Sequence, residues 1–398
     1  MHKVQSLFLY MLTISIALVA PKFRLGSWGL YDLCAVALWL SILAWPKPLR
    51  RLSSLSLSLR LFLLIIAIVF FGGVATLYSM NHYGIVVQPD FSYLLRFVLG
   101  LLIYLGVWLL VTDRPYRLSV ITWLLASTAV YQTFLAIFNI GSHLRFLGTF
   151  TDPNYYAAYQ SSIFVVLLAL ASEPNSSKRS IVSRIPLFII CFGIGLSVLL
   201  SFSRGGLLSF TLGSAFVIVV RLFHEKRRMV FPVFLVIVGA FLVLHIVQST
   251  PSFARWSSRM TVDEIIAGGG AGRLTTWKQA VTAIIENPIG YGWGSEHLII
   301  GRTGHNLFVE SGIQFGLLGL ILVVVFWIIT GLDATRLFRR KPSTLELGFV
   351  AASIIMLISS LTVSSLLSRP FWFVLALGGA TSNLIRDQYK KDYKVCES

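Results

Sequence analysis

The chain alternates between long apolar blocks and short polar connections. Most blocks are near the roughly 20 residues that a helix needs to cross a bilayer, and they lack the alternating pattern of a membrane β-barrel strand. The pattern therefore predicts an all-α polytopic membrane protein with about twelve transmembrane helices. The predicted spans are residues 5–20, 27–45, 61–80, 93–111, 118–139, 155–172, 185–202, 206–222, 231–248, 306–330, 345–364 and 371–385.

Composition excludes the soluble classes. Hydrophobic residues make up 56% of the chain and charged residues only 12%, whereas a soluble domain carries about a quarter charged residues. Neither a water-soluble enzyme nor a disordered protein fits. Residues 1–20 resemble a short signal peptide, but their apolar stretch exceeds a usual signal core, so we interpret them as the first span.

The distribution of positive charge predicts the orientation. The formal net charge of +17 would indicate a nucleic-acid binder if the chain were soluble. Here the lysines and arginines concentrate in alternate connections and in the C-terminal tail, and the positive-inside rule assigns these to the cytoplasm. We therefore expect a bacterial inner-membrane protein with both termini cytoplasmic and no nucleic-acid partner.

The opposite connections would face the periplasm, and they hold the residues with candidate chemistry. The longest, residues 249–305 between spans 9 and 10, contains a predicted amphipathic helix that begins near Arg273 and ends before Pro288. We divide the chain into N-terminal helices at 1–140, a region at 141–330 that holds most of the candidate residues and this loop, and C-terminal helices with a basic tail at 331–398. The predicted apolar face of the loop helix comprises Leu274, Trp277, Val281, Ile284 and Ile285.

The first candidate is Arg204, in the Ser-Arg-Gly-Gly segment between spans 7 and 8. An arginine between two apolar helices is costly and is usually functional or paired, and the adjacent glycines would let a ligand approach the backbone. The alternative is an arginine that snorkels to the interface. Because such an anchor needs no glycine pair, we favour a ligand contact.

The second candidate is Arg273, which follows a glycine-rich segment at residues 267–272. A helix N-terminus offers backbone N–H groups to an anion, and the guanidinium adds a two-pronged donor. The alternative is a flexible linker with a solvated arginine. The segment lacks the Gly-Lys-Ser/Thr of a P-loop.

The third candidate is His305, which precedes the tenth span. Its side chain titrates near neutrality and can exchange a proton with a sugar hydroxyl, although a helix-capping histidine is the commoner case. Asn306 and Glu310 are four residues apart, and we expect them to share a helix face that contacts substrate.

Further cations lie at the predicted membrane edge. Arg145, Arg96 and Arg369 are additional candidates for substrate contacts, and Asp152 is predicted to cap a helix.

The external acids look scattered, without a short-spaced pair or a His/Cys cluster, so we predict no metal and no cofactor. Arginine side chains are better candidates than a metal ion for neutralising a substrate's negative charge. A diphosphate suits them, because each guanidinium presents a fork of N–H donors that matches two phosphate oxygens.

Together, these segments resemble the O-antigen ligase superfamily, which includes the O-antigen and exopolysaccharide polymerases. The resemblance runs from Arg145 to Gly319 and rests on Arg204 in Ser-Arg-Gly-Gly, Arg273 in Gly-Arg-Leu-Thr-Thr-Trp and His305 in His-Asn-Leu-Phe-Val-Glu. It implies a class C glycosyltransferase fold whose active site faces the periplasm. Many ligases of this family have a longer loop and a second histidine, where this chain has Thr303.

The resemblance also implies the substrates. The donor would be a glycan on undecaprenyl diphosphate, with Arg204 and Arg273 binding the diphosphate and His305 orienting or deprotonating the acceptor. The acceptor would be either lipid A–core, as for a ligase, or another repeat unit, as for a polymerase, and membrane lipids would surround the chain. A lipid-linked oligosaccharide flippase or another transporter is the alternative, and it would line a central cavity with charges.

Overall fold

Helices account for nearly all of the backbone that the structure describes. This computed structural model describes residues 2–17, 24–25, 28–49, 56–82, 91–138, 148–150, 152–173, 184–224, 269–302, 304–339, 341–365 and 367–397. The helices within these ranges are α1 His2–Ala17, α2 Leu30–Ala44, α3 Ser56–His82, α4 Phe91–Asp113, α5 Tyr116–Phe138, α6 Pro153–Ala171, α7 Ile185–Leu200, α8 Arg204–His224, α9 Gly269–Glu286, α10 Glu296–Ile300, α11 Leu307–Arg339, α12 Thr344–Ser359 and α13 Arg369–Glu397.

The helical membrane character that the apolar blocks predict is confirmed. Five helices within the described residues are long and apolar enough to cross a bilayer. The count of twelve spans stays a prediction, and the ninth, 231–248, lies outside the described residues. The five are Tyr93–Asp113, Tyr116–Phe138, Pro153–Ala171, Arg204–His224 and Leu307–Arg339.

The second predicted span begins later than the sequence indicates. The prediction places its start at residue 27, but two short strands precede the helix, β1 Arg24–Leu25 and β2 Trp28–Gly29. They pair antiparallel. Helix α2 then starts at Leu30, and the Asp32 carboxylate accepts a hydrogen bond of 3.1 Å from the Gly29 N–H. This acidic side chain in the first turn fixes where the helix begins.

Helix α6 forms the centre of the bundle. It packs against α7, α8 and α12, and α12 packs in turn against α13. Because α6 is enclosed on nearly every face, its polar side chains need internal partners. Gln160, fully buried, donates to the Ala129 carbonyl and to Thr133 and Tyr156.

Helix α11 is broken at Gly316, where an unbroken tenth span was predicted. Gly316 has φ 68° and ψ −166°, and the N–H of Leu317 donates to the Pro288 carbonyl at 2.8 Å. The carbonyls of Ile313 and Gln314, freed by the break, accept from backbone N–H groups of the loop after α9. The break persists because the loop satisfies these groups.

Candidate functional site

The N-termini of α6 and α8 are held together beside Arg204. Ser203 accepts a hydrogen bond of 2.9 Å from the Gly206 N–H, which caps α8. Its hydroxyl also donates to Asn154 Oδ1 at 2.5 Å. Asp152 caps α6 by accepting from the Asn154 N–H at 2.6 Å, as the sequence predicts. Arg204, the first residue of α8, is half-buried next to this junction.

The two glycines after Arg204 serve helix packing rather than ligand approach. A Cβ on Gly206 would lie 2.2 Å from the Ala157 Cβ, and one on Gly205 would lie 2.2 Å from Thr362 Oγ1. The expectation that these glycines leave room for a ligand is therefore corrected. Their lack of side chains lets α8 pack closely against α6 and against the segment after α12.

Arg273 lies one turn inside α9. The helix begins at Gly269, so the glycines that the sequence analysis places before the helix form its first turn. The predicted end before Pro288 is confirmed. The first-turn N–H groups lack partners within the helix, as an anion site at a helix N-terminus requires.

The predicted apolar face of α9 is divided between two sides. Ala280 and Ala283 are buried, whereas Leu274, Val281 and Ile285 are 50–72% exposed. The helix packs on α11, where Gly312 leaves room for Ile284. The Ile284 Cδ1 is 2.4 Å from the position that a Gly312 Cβ would take. Leu274, Val281 and Ile285 are therefore on the outer side, whereas Ile284 faces α11.

The structure brings Arg204, Arg273, Asp152 and His305 into one cluster, which we call the arginine–histidine cluster. Burial, followed by the charge of Arg204, lowers the pKa of the Arg273 guanidinium, and Asp152 opposes the shift. Burial, followed by the charge of Arg273, lowers the pKa of His305, and Asp152 again opposes it. The imidazole is therefore mainly neutral near pH 7, the form that accepts a proton.

His305 has an unusual backbone conformation. Its φ of 47° is in the left-handed region, which costs a residue with a Cβ about 1–2 kcal/mol. The preceding residue, Gly304, is held through both of its backbone groups. The Gly304 N–H donates to Glu296 Oε1 at 2.6 Å, and the Trp277 indole N–H donates to the Gly304 carbonyl at 3.0 Å.

Asn306 caps α11. Its Oδ1 accepts from the N–H groups of Phe308 and Val309 at 2.9 and 3.3 Å, and its Nδ2 donates to the Leu361 carbonyl at 3.1 Å. Both ends of the amide are thus engaged within the protein. The predicted substrate contact is revised to a structural role, that of a cap that fixes the residue after His305.

Glu310 lies inside the protein next to a second acid. Its side chain is 1% exposed and that of Glu296 is 2% exposed, and the two carboxylates act on each other electrostatically. Burial raises the pKa of Glu296 to about 7, although the Gly304 N–H lowers it. The sequence predicts scattered acids, because a separation of 14 positions gives no local sign that these two meet.

The structure describes two of the three remaining candidate arginines, Arg369 and Arg96. Arg369 donates to Asp32 Oδ1 from Nε and Nη2 at 3.1 and 3.0 Å and to the Leu367 carbonyl from Nη1 at 2.9 Å. It also lies over the Tyr31 ring, 4.9 Å from its centroid. This arginine anchors α13 to α2, so we revise its predicted role. Arg96 is half-buried on α4, where a substrate contact stays a prediction. Arg145 and Thr303 lie outside the described residues.

Within the described ranges, no three His, Cys, Asp or Glu side chains form a group that could hold a metal ion.

Two parts of the site, Trp277 and Glu296, are not predicted from the sequence. Trp277 was assigned to an apolar face, and only its neighbour Arg273 carried a chemical signal. Glu296 lies in a Gly-Ser-Glu segment with no recognisable motif.

Residues 187–324 match the model of a protein family described as O-antigen ligase. The matched region contains Arg204, Arg273 and His305, and it confirms the resemblance to the O-antigen ligase and polymerase superfamily. The match indicates glycan transfer of that general type and lipid-linked glycan substrates. No curated protein matches the chain.

Proposed function

We propose that the protein transfers a glycan from undecaprenyl diphosphate to a sugar hydroxyl at the periplasmic face of the bacterial inner membrane. The observation that carries this proposal is the convergence of Arg204, Arg273 and His305 within the region that matches the O-antigen ligase family. The family match supports the reaction type, and the cluster supplies groups suited to the donor and the acceptor.

The two arginines are suited to the diphosphate of the donor. Arg204 and Arg273 interact unfavourably with each other, and an anion between them would convert that repulsion into two attractions. Guanidinium groups bind pairs of phosphate oxygens through parallel hydrogen bonds. In a partly buried site, such donors stabilise the charge that develops on the leaving group by several kcal/mol, of the order of 3.

His305 is suited to the acceptor. In the proposed step the acceptor hydroxyl oxygen attacks the anomeric carbon, and the bond from that carbon to the diphosphate oxygen breaks. The electron pair leaves with the diphosphate, which Arg204 and Arg273 hold, and the hydroxyl proton passes to the neutral His305 imidazole. A single displacement of this kind inverts the anomeric centre, and it requires no metal or cofactor.

The acceptor is either lipid A–core or another repeat unit, and the surface polysaccharide of a deletion strain distinguishes the two. Core-only lipid with long carrier-linked chains identifies a ligase. Core that carries a single repeat identifies a polymerase. Complementation with the wild-type gene should restore the gel ladder of lipid A–core that carries polysaccharide chains of increasing length in either case.

Purified protein tests the transfer itself. Incubation with an undecaprenyl-diphosphate-linked glycan and an acceptor glycan is expected to give a new glycosidic bond, with unchanged rate in the presence of a chelator. A His305→Ala protein is expected to lose transfer. Translocation of the donor in vesicles without any new bond would instead identify a flippase, and normal transfer by His305→Ala would remove the histidine from the mechanism.

A further inference from the structure

Gly304, the residue before His305, is held through both of its backbone groups by residues that belong to other elements. Glu296, on α10, accepts from the Gly304 N–H at 2.6 Å, and Trp277, on α9, donates to the Gly304 carbonyl at 3.0 Å. On the other flank Asn306 caps α11. His305 therefore lies between two fixed neighbours while its own φ is in the left-handed region.

Only a glycine fits at position 304 without a shift of its neighbours. A Cβ at this position would lie 2.7 Å from Glu296 Oε1 and 2.8 Å from Val309 Cγ1. Gly304 is thus packed against the carboxylate that accepts its N–H. Because Glu296 is 2% exposed, water cannot readily replace this carboxylate as the acceptor.

Trp277 links the Gly304 carbonyl to the arginine side of the cluster. It lies on α9 four residues after Arg273, which places both side chains on neighbouring positions of the same helix face. The charge of Arg273 in turn acts on His305. A shift of α9 would therefore move the guanidinium and the His305 peptide together.

We propose that Trp277 and Glu296 are positioning residues for His305. By holding the N–H and the carbonyl of Gly304, they fix the left-handed backbone of His305 and keep its imidazole beside Arg273, without touching the substrate. The catalytic consequence rests on the proposed glycan transfer, whereas the positioning itself is a property of the free protein. An imidazole displaced by about 1 Å would lose much of its rate contribution.

Three variants test this role. Trp277→Phe removes the indole donor but keeps an aromatic ring, and Glu296→Ala removes the acceptor. Glu296→Gln retains an oxygen that can accept from Gly304. The matched controls are Trp123→Phe and Glu286→Gln, since both side chains are exposed and lie away from the Gly304 peptide.

Two measurements are made on each purified full-length variant. The first is kcat and KM for transfer from an undecaprenyl-diphosphate-linked glycan. The second is the NMR titration of ¹⁵N-histidine-labelled protein, with the His305 signal assigned from its loss in His305→Asn.

For Trp277→Phe and Glu296→Ala we expect kcat to fall about 10- to 100-fold, with KM changed by less than about two-fold because the arginines still bind the diphosphate. The His305 pKa should rise towards its ordinary value as the imidazole leaves Arg273. Glu296→Gln should recover most of the rate, and the controls should match wild type.

Wild-type kcat together with an unchanged His305 titration in both variants would overturn the positioning role. If Glu296→Ala does not fold, Trp277→Phe decides the question. A His305→Ala protein with normal transfer would refute the proposed function, but the titration would still decide whether Trp277 and Glu296 hold the histidine.

Discussion

At the scale of single residues, the site depends on where charges meet. Arg204 and Arg273 are 69 positions apart in the sequence, and His305 follows a further 32 positions later. Each carries a weak local signal. The charge of Arg204 acts on Arg273, that of Arg273 acts on His305, and that of Asp152 acts on both. These interactions turn three separate candidates into one cluster.

The titration of His305 tests these interactions. In wild-type protein we expect its pKa to lie below the ordinary histidine value, because burial and Arg273 disfavour the imidazolium. Arg273→Gln should raise this pKa, and Asp152→Asn should lower it further. Asparagine also caps helices well, so the second change leaves α6 intact. Histidine NMR measures both shifts, and the other histidine signals provide an internal reference.

The same shift has a consequence for the rate. Because the proposed mechanism has neutral His305 accept the proton, transfer should fall as the pH drops through its lowered pKa, and it should stay high above that value. A rate that increases on acidification would contradict a base role for His305.

Contacts between residues that are far apart along the chain limit what the sequence can predict. Asp152 as a cap follows from Asp-Pro-Asn, since that signal is local. The pairing of Arg369 with Asp32 does not, because 337 positions separate them. The same holds for Glu296 and Glu310, whose meeting depends on how the loop after α9 folds against α11.

At the scale of helices, close packing of glycines determines how the site is assembled. Gly206 brings α8 against α6, and this contact holds the N-terminus that carries Arg204 next to Asp152. The contact leaves no room for a methyl group, because the two Cβ atoms would be 2.2 Å apart.

Gly206→Ala is therefore expected to destabilise the protein. Overpacking of this kind costs about 1–3 kcal/mol, which thermal unfolding in detergent would show as a lowered melting temperature. Gly193→Ala on the neighbouring α7 is the control, since a Cβ there meets nothing within 4 Å. Adding Ala157→Gly should rescue Gly206→Ala, and a double variant no more stable than the single one would contradict this packing argument.

Helix existence was more predictable than helix continuity. The C-terminal end of α9 follows from Pro288, and the apolar blocks predict most of the bundle helices. The break at Gly316 was not predicted, because a glycine in an apolar block is also compatible with an unbroken helix. Only the loop that supplies hydrogen bonds at the break distinguishes the two cases.

At the scale of the whole molecule, orientation determines whether the cluster can meet a periplasmic acceptor. The positive-inside argument places α9 outside and the connection before α12 in the cytoplasm. Lys278 on α9 and Lys341 before α12 are both exposed, so they are suitable positions for labelling.

Cysteine labelling in whole cells tests this orientation. Lys278→Cys should react with a membrane-impermeant maleimide in cells whose outer membrane alone has been permeabilised, and Lys341→Cys should react only after the inner membrane is opened. Cys34 and Cys191 are buried, and Cys396 would be replaced by serine. Labelling of Lys341→Cys from outside would reverse the predicted topology.

The central claim is that Arg204 and Arg273 act on one diphosphate, and the most direct test is kcat/KM for transfer by lysine and alanine variants. We expect Arg204→Lys to lose about 100-fold, nearly as much as Arg204→Ala, because an ammonium cannot reproduce a two-pronged contact. Arg302→Lys, an exposed control, should match wild type. If both arginines bind the same group, Arg204→Ala combined with Arg273→Ala should lose less than the product of the single losses. Full activity in Arg204→Lys, or losses that multiply independently, would contradict the account.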